Sequence, residues 1–187
     1  MEKNKCGWCV GDDLYEDYHD KEWGVPVKDD ATLFEFLILE SFQAGLSWIT
    51  ILKKRGNFRK ALDNFNYKKI ALYDENKKAE LLQNAGIIRN KLKVNATITN
   101  AVAFIEVQKE FGSFSDYIWN FLDHKPIINT LSNYKEGPAN TPLSDQISKD
   151  LKKRGFKFVG STVVYAYMQA TGMVNDHETS CFRYNEV

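Results

Sequence analysis

Beyond position 30 apolar residues return at helical spacing along most of the chain, and two-residue alternation is scarce. The stretch ATLFEFLILESF, residues 31–42, is apolar on nearly every side. It predicts a central helix with Asp30 as its N-cap. Gly45 interrupts it, Ser47 is placed to cap WITILKKR, and Gly56 to end that helix. Asn57 is read as the cap of FRKALDNF and Asp74 as the cap of ENKKAELLQN. A glycine-containing break at AGIIRNK, 85–91, leads into the longest pattern, 90–111, which Gly112 stops. Ser115 is read as the start of DYIWNFL, and 123–140 as a long loop. Thr141–Pro142 opens another helix that Gly155 closes, and STVVYAYMQAT runs to Gly172. Residues 1–29 carry no clear period. The pattern predicts an all-α fold of about eight helices.

At 187 residues the chain is expected to form a single domain, 1–187, able to bury a core without disulfide staples. Lys plus Arg and Asp plus Glu both number 25, so only local patches can carry a net field. Three such patches are visible: Lys53, Lys54, Arg55, Arg59 and Lys60; Arg89, Lys91 and Lys93; and Lys149, Lys152, Lys153, Arg154 and Lys157. Each fits either a phosphate-facing surface or a solvated helix face. Three cysteines, no apolar leader and no membrane-length apolar run point to a cytoplasmic protein in a reducing compartment.

The chemistry-bearing residues gather toward the two ends. CGWC, residues 6–9, has the spacing of a thiol redox motif, but no βαβ pattern surrounds it. Cys6 and His19, with His177 and Cys181, supply two thiols and two imidazoles, the donor set of a closed tetrahedral zinc site. His177 and Cys181, four apart, could share one helical face. Closing a loop of about 160 residues carries a chain-entropy term of roughly 5 kcal/mol. Four unrelated residues remain the alternative, and Cys9 is a fifth candidate ligand. Trp8, Trp23 and Trp48 cluster in the same part of the sequence, and Glu40 is a lone carboxylate in an apolar helix. One acid among aromatics suits a flat heteroaromatic ligand, with core packing as the alternative for each residue. LLQNAGIIRNKLK, 81–93, has the helix–turn–helix outline that can aim backbone N–H groups at phosphate.

These stretches together resemble the bacterial 3-methyladenine DNA glycosylase I family. The carrying segments are CGW at 6–8, YHDKEWGVP at 18–26, LESFQAGLSWITILKKR at 39–55, AGIIRNK at 85–91, LKKRGFKFVGST at 151–162 and MVNDHETSC at 173–181. The resemblance covers nearly the whole chain in order. It implies a helix–hairpin–helix glycosylase fold, with that element at about 75–111, and a structural Zn2+ clasp on Cys6, His19, His177 and Cys181. It implies a base pocket of Tyr18, Glu40 and Trp48 with Trp8, Tyr15 and Trp23 around it, Glu40 being the catalytic-site acid. Gly45 and Leu46 match the turn that approaches the gap in the DNA stack, while Gly86, Arg89 and Lys91 fall on the DNA-binding hairpin. The implied partner is double-stranded alkylated DNA, the implied product free 3-methyladenine, and the protein is expected to act as a monomer without strand cleavage. No general base for water is assigned. Cys9 lies outside the family's metal set. A non-catalytic lesion-binding domain is the competing reading.

Overall fold

The computed structural model describes residues 3–187 and is mostly helical. Nine α-helices are present among the described residues: α1 Asp13–Lys21, α2 Asp30–Gln43, α3 Trp48–Ala61, α4 Tyr67–Ile70, α5 Glu75–Gln83, α6 Lys91–Phe111, α7 Phe114–Asn120, α8 Pro142–Lys153 and α9 Ser161–Ala170. Two two-residue strands, β1 Ile127–Ile128 and β2 Val174–Asn175, pair in parallel. The region 123–140 is therefore more than a loop: it carries β1 and a 3-10 turn at Tyr134–Glu136.

Helix α2 sits at the centre because its sequence leaves no polar face. Leu33, Phe34, Phe36, Leu37, Ile38, Leu39 and Phe42 are all buried along it, and it packs against α3, α6, α7 and α9. Burying such side chains stabilises by about 1.5–3 kcal/mol each before entropy is charged against them.

Several local expectations shift by a residue or two, for identifiable reasons. The N-cap of α2 is Asp29, whose carboxylate accepts from Thr32 N. Asp30 is inside the helix and turns its carboxylate outward to accept from the backbone N–H groups of Phe114 and Ser115. It thereby satisfies orphan donors at the start of α7. Ser113, not Ser115, caps that helix. Gly56 does not end α3, which runs on to Ala61, so Asn57 caps nothing. A single interior glycine costs only about 1 kcal/mol, and packing of Phe58 and Ala61 into the core outweighs it. Residues 1–29, without period in the sequence, contain α1, started by Asp12 accepting from Leu14 N and Tyr15 N.

Two cationic residues of the basic patches lie neither on a phosphate-facing surface nor on a solvated helix face, but are structural. Lys93 is buried, and its ammonium donates to the carbonyls of Phe42 (2.8 Å) and Ala44 (2.6 Å). It closes the C-terminal end of α2 and holds the following turn. Arg55 is also buried, bridging Glu22 beyond α1 and Glu35 on α2. No helix among the described residues is long and apolar enough to cross a membrane.

Candidate active site and metal-binding cluster

The interruption of helical pattern at Gly45 creates a bend between α2 and α3, and the two helices turn Glu40 and Trp48 toward the same space. Helix α1 contributes Tyr15 and Tyr18, and the loops on either side of it bring Trp8 and Trp23. These six residues, chosen on sequence, line one cleft of about 230 Å³. Gln43, Leu131, Tyr134, Ala166, Gln169 and Asp176 complete its walls.

The walls are aromatic and mutually braced. Trp8 meets Tyr15 and Trp23 edge-on, with centroids 4.9 and 5.0 Å apart, and Tyr18 lies 5.4 Å from Trp48. Glu40 is buried at 3 % exposure, and its Oε2 has no hydrogen-bond partner among the described residues. Burial alone pushes its carboxyl up to about 8. The indole N–H groups of Trp8 and Trp48 are likewise buried without partners. Unsatisfied buried polar atoms are costly. Their convergence on one aromatic cleft marks a place built for a planar ligand with both donors and acceptors on its edge.

Asp176 was missed by sequence reasoning. Its carboxylate accepts from Asn129 (2.6 Å), Tyr165 (2.7 Å) and Gln169 (2.8 Å), so a polar network backs the far wall. Gln43 is three positions after Glu40, a spacing that puts both on one helix face; that signal could have been read. Leu131 and Tyr134 come from the 123–140 region, where no pattern pointed.

The cleft continues into a second depression lined by Glu40, Gln43, Gly45, Leu46 and the first turn of α9. Gly45 has φ +81°, which a side chain would strain, and Leu46 projects at 41 % exposure. Farther off, Arg89 is exposed on the turn between α5 and α6 and Lys91 at the first position of α6. Within that turn the Gly86 N–H donates to Asn84 Oδ1 at 2.8 Å.

Behind Trp8, Tyr18 and Trp23 lies a buried cluster of Cys6, His19, His177 and Cys181, whose donor atoms all fall within 4.8 Å of one another. Cys6 Sγ is 3.5 Å from His177 Nδ1, and Cys181 Sγ is 3.5 Å from His19 Nε2 and 3.7 Å from His177 Nδ1. Zinc bonds of about 2.3 Å to sulfur and about 2.0–2.1 Å to nitrogen give tetrahedral S···N edges of about 3.6 Å. The four residues therefore fit a metal ion. The outer ring nitrogens agree: His19 Nδ1 faces Asp20 Oδ1 at 2.8 Å and His177 Nε2 faces the Trp23 carbonyl at 3.1 Å. Those contacts hold the outer protons and leave the inner lone pairs facing the cluster. Backbone N–H groups of Glu178 and Arg183 donate to the two sulfurs. The hydrogen bond with Cys181 and burial hold the Cys6 thiol well above its ordinary range, while hydrogen bonds with Cys6, His177 and His19 hold Cys181 well below it.

The expected helical face for His177 and Cys181 is absent, since an isolated bridge at Glu178 and a turn, following β2, carry this segment. Cys9 is not in the cluster. It is buried, its thiol donates to the Cys6 carbonyl at 3.1 Å, and burial pushes it up to about 12. All three cysteines are free thiols.

With this geometry in hand, comparison with known proteins is decisive. Residues 8–184 match the family model described as methyladenine glycosylase. The chain belongs to the methyladenine glycosylase family. It is 48 % identical over 180 residues to DNA-3-methyladenine glycosylase 1 of Escherichia coli (strain K12), covering 96 % of each chain. A crystal structure of a 3-methyladenine DNA glycosylase I superposes with a TM-score of 0.93 at 49 % identity, covering 96 % of this chain and 98 % of that one. A point variant of a 3-methyladenine DNA glycosylase I, solved in complex with 3-methyladenine, superposes with a TM-score of 0.93 at 32 % identity and covers 96 % of both chains.

Proposed function

We propose that the protein is a monofunctional DNA glycosylase that hydrolyses the N-glycosidic bond of 3-methyladenine in alkylated double-stranded DNA, releasing the base and leaving an abasic site. The observation that carries this reading is Glu40: a buried, unpartnered carboxylate facing a cleft walled by Tyr15, Tyr18, Trp23 and Trp48. Methylation of a ring nitrogen leaves the nucleotide's base positively charged. It is thus electron-poor and already a good leaving group. An enzyme for it must extrude and hold the base more than activate it.

Aromatic faces such as Tyr18 and Trp48 stack on the extruded base, a contact worth about 1–3 kcal/mol per base. Beside the positively charged base Glu40 ionises, accepts from the adenine edge and favours the cationic form. Trp8 and Trp48, which line the cleft, carry buried indole N–H groups with no partner among the described residues. Leu46, raised on the Gly45 bend, enters the space that the base vacates in the stack. Gly86, Arg89 and Lys91, on a helix–hairpin–helix element, face the phosphate backbone, with Arg89 and Lys91 supplying the charge. Water attacks the sugar carbon as the base departs. No lysine is assigned as a covalent nucleophile, so no strand cleavage follows.

Cys6, His19, His177 and Cys181 would hold Zn2+. When bound, the ion supplies a cross-link between the two ends of the chain, with no open position for substrate.

The test is release of free base from methylated DNA, with the product identified, by the zinc-loaded protein and by Glu40→Ala. Wild type is expected to release 3-methyladenine and the variant to lose most of that activity. Binding of methylated DNA without any base release, unaffected by Trp48→Ala, would favour a non-catalytic lesion-binding domain.

A further inference from the structure

Three segments far apart in the chain meet at one carboxylate oxygen. Glu178 Oε1 accepts from the backbone N–H of Gly7 at 3.1 Å and from the backbone N–H of Tyr134 at 3.1 Å. Gly7 precedes Trp8, and Tyr134 itself lines the cleft. The side chain of Glu178 is therefore shared by two segments, far apart in the chain, that carry cleft residues.

The rest of the contact is built around this oxygen. Gly7 packs against the Tyr134 ring so closely that a Cβ there would lie 3.2 Å from Tyr134 Cε1. Leu131, another cleft residue, is bridged to Glu178, and Thr179 N donates to the Leu131 carbonyl at 2.8 Å. Glu178 itself is held in place: it is 8 % exposed, follows His177 directly, and its N–H donates to Cys6 Sγ. A carboxylate accepting from two backbone donors forms charge-assisted bonds, stronger than neutral ones. The carbonyl–amide bonds within 131–137 close only local turns and do not tie Tyr134 to the N-terminal segment.

We propose that Glu178 is a positioning residue for base recognition, fixing Trp8 and Tyr134 as parts of the cleft by clamping the backbones that carry them. It acts through those two residues and does not itself touch the base. The inference rests on the glycosylase reading for its functional part, while the clamp itself can be tested without it.

The experiment compares Glu178→Ala and Glu178→Gln with wild type, all zinc-loaded. Nuclear Overhauser contacts between the Tyr134 ring and the Gly7 α-protons report the clamp directly. Affinity for free 3-methyladenine, read from tryptophan fluorescence, and the KM and kcat of base release report its use. The expected result is that Glu178→Ala loses the Tyr134–Gly7 contacts, binds the base about tenfold more weakly and raises KM with kcat little changed, while keeping wild-type zinc content. Glu178→Gln retains one acceptor oxygen and should recover both the contacts and the affinity. Retained Tyr134–Gly7 contacts in Glu178→Ala would overturn the clamp. Lost contacts with unchanged base affinity would overturn its part in recognition. Zinc loss in both variants, in proportion to lost affinity, would reassign Glu178 to the metal cluster alone. A wild-type protein that shows the contacts but binds no base would count against the glycosylase reading and leave the clamp standing.

Discussion

His177 and Trp23 are joined twice: the imidazole Nε2 meets the Trp23 carbonyl at 3.1 Å, and the two rings pack edge-to-face with centroids 4.6 Å apart. One partner belongs to the buried Cys/His cluster that could hold a metal and the other lines the aromatic cleft. The same adjacency recurs along the chain, where Cys6 lies two residues before Trp8, Tyr18 immediately precedes His19 and Asp176 immediately precedes His177. Holding the chain ends together and shaping the cleft are thus physically one task.

Metal content should separate the cysteines. Cys6→Ser removes one of four donors and is expected to lose zinc, lower the melting temperature and weaken base binding. Cys9→Ser should keep a full equivalent of zinc, because the Cys9 thiol points to the Cys6 carbonyl and not into the cluster. Elemental analysis of the two purified variants decides this; equal zinc loss in both would make Cys9 a ligand.

Stability should fall as pH rises through the neutral range because of Glu40. Burial raises its folded-state value to about 8 from 4.5. Between those limits the folded chain keeps a proton that the unfolded chain releases, so the folded state binds more protons and stability declines with pH. The contribution is fully present below about 4.5 and is lost as pH climbs toward 8. At about 1.4 kcal/mol per unit the full difference is on the order of 5 kcal/mol. Glu40→Gln cannot ionise. Urea midpoints at pH 5 and pH 8 should therefore diverge for wild type and converge for the variant. Parallel slopes would show that Glu40 is not the group responsible.

Leu46→Ala should leave the fold untouched and impair work on DNA. Leu46 is 41 % exposed on the bend after α2, so its truncation is expected to change stability by less than about 0.5 kcal/mol. Base release from duplex DNA should drop by about tenfold or more, while affinity for free 3-methyladenine stays the same. A variant equally impaired toward the free base would place Leu46 within the base pocket instead.

Lys93→Met tests a cation removed from the DNA-facing set. It retains the apolar stem but leaves the Phe42 and Ala44 carbonyls without their donor. Thermal or urea denaturation should show a loss of about 1–3 kcal/mol. The salt dependence of DNA binding should be unchanged, since no phosphate contact is lost. A reduced salt slope with normal stability would return Lys93 to the DNA surface.

Helical periodicity and end signals made α2, α5, α6, α8 and α9 legible in the sequence, because their apolar positions or capping residues act locally. Helix α1 was hidden: it is short and mostly polar, and its burial of Tyr18 and His19 depends on partners elsewhere. Gly56 misled because tertiary packing overrode an intrinsic penalty of about 1 kcal/mol. The cationic patches divided in the same way. Lys93 looks like Lys91 in the sequence, and only the position of the α2 end makes it structural; Glu22 and Glu35 draw Arg55 into a buried ion-pair network that Arg59 joins from the surface.

By itself, then, the sequence determined the helical class, the central place of α2, and which residue types could hold a metal or face a planar base, since these follow from periodicity and donor chemistry. Only the tertiary structure decided that His177 and Cys181 reach the cluster from a turn, that Cys9 faces away from it, that Asp176 and Tyr134 complete the cleft, and that Glu178 ties two of its segments together. Those relations join groups as many as 172 positions apart. No local pattern encodes them, because each depends on where distant backbone donors and acceptors come to rest once the core has formed.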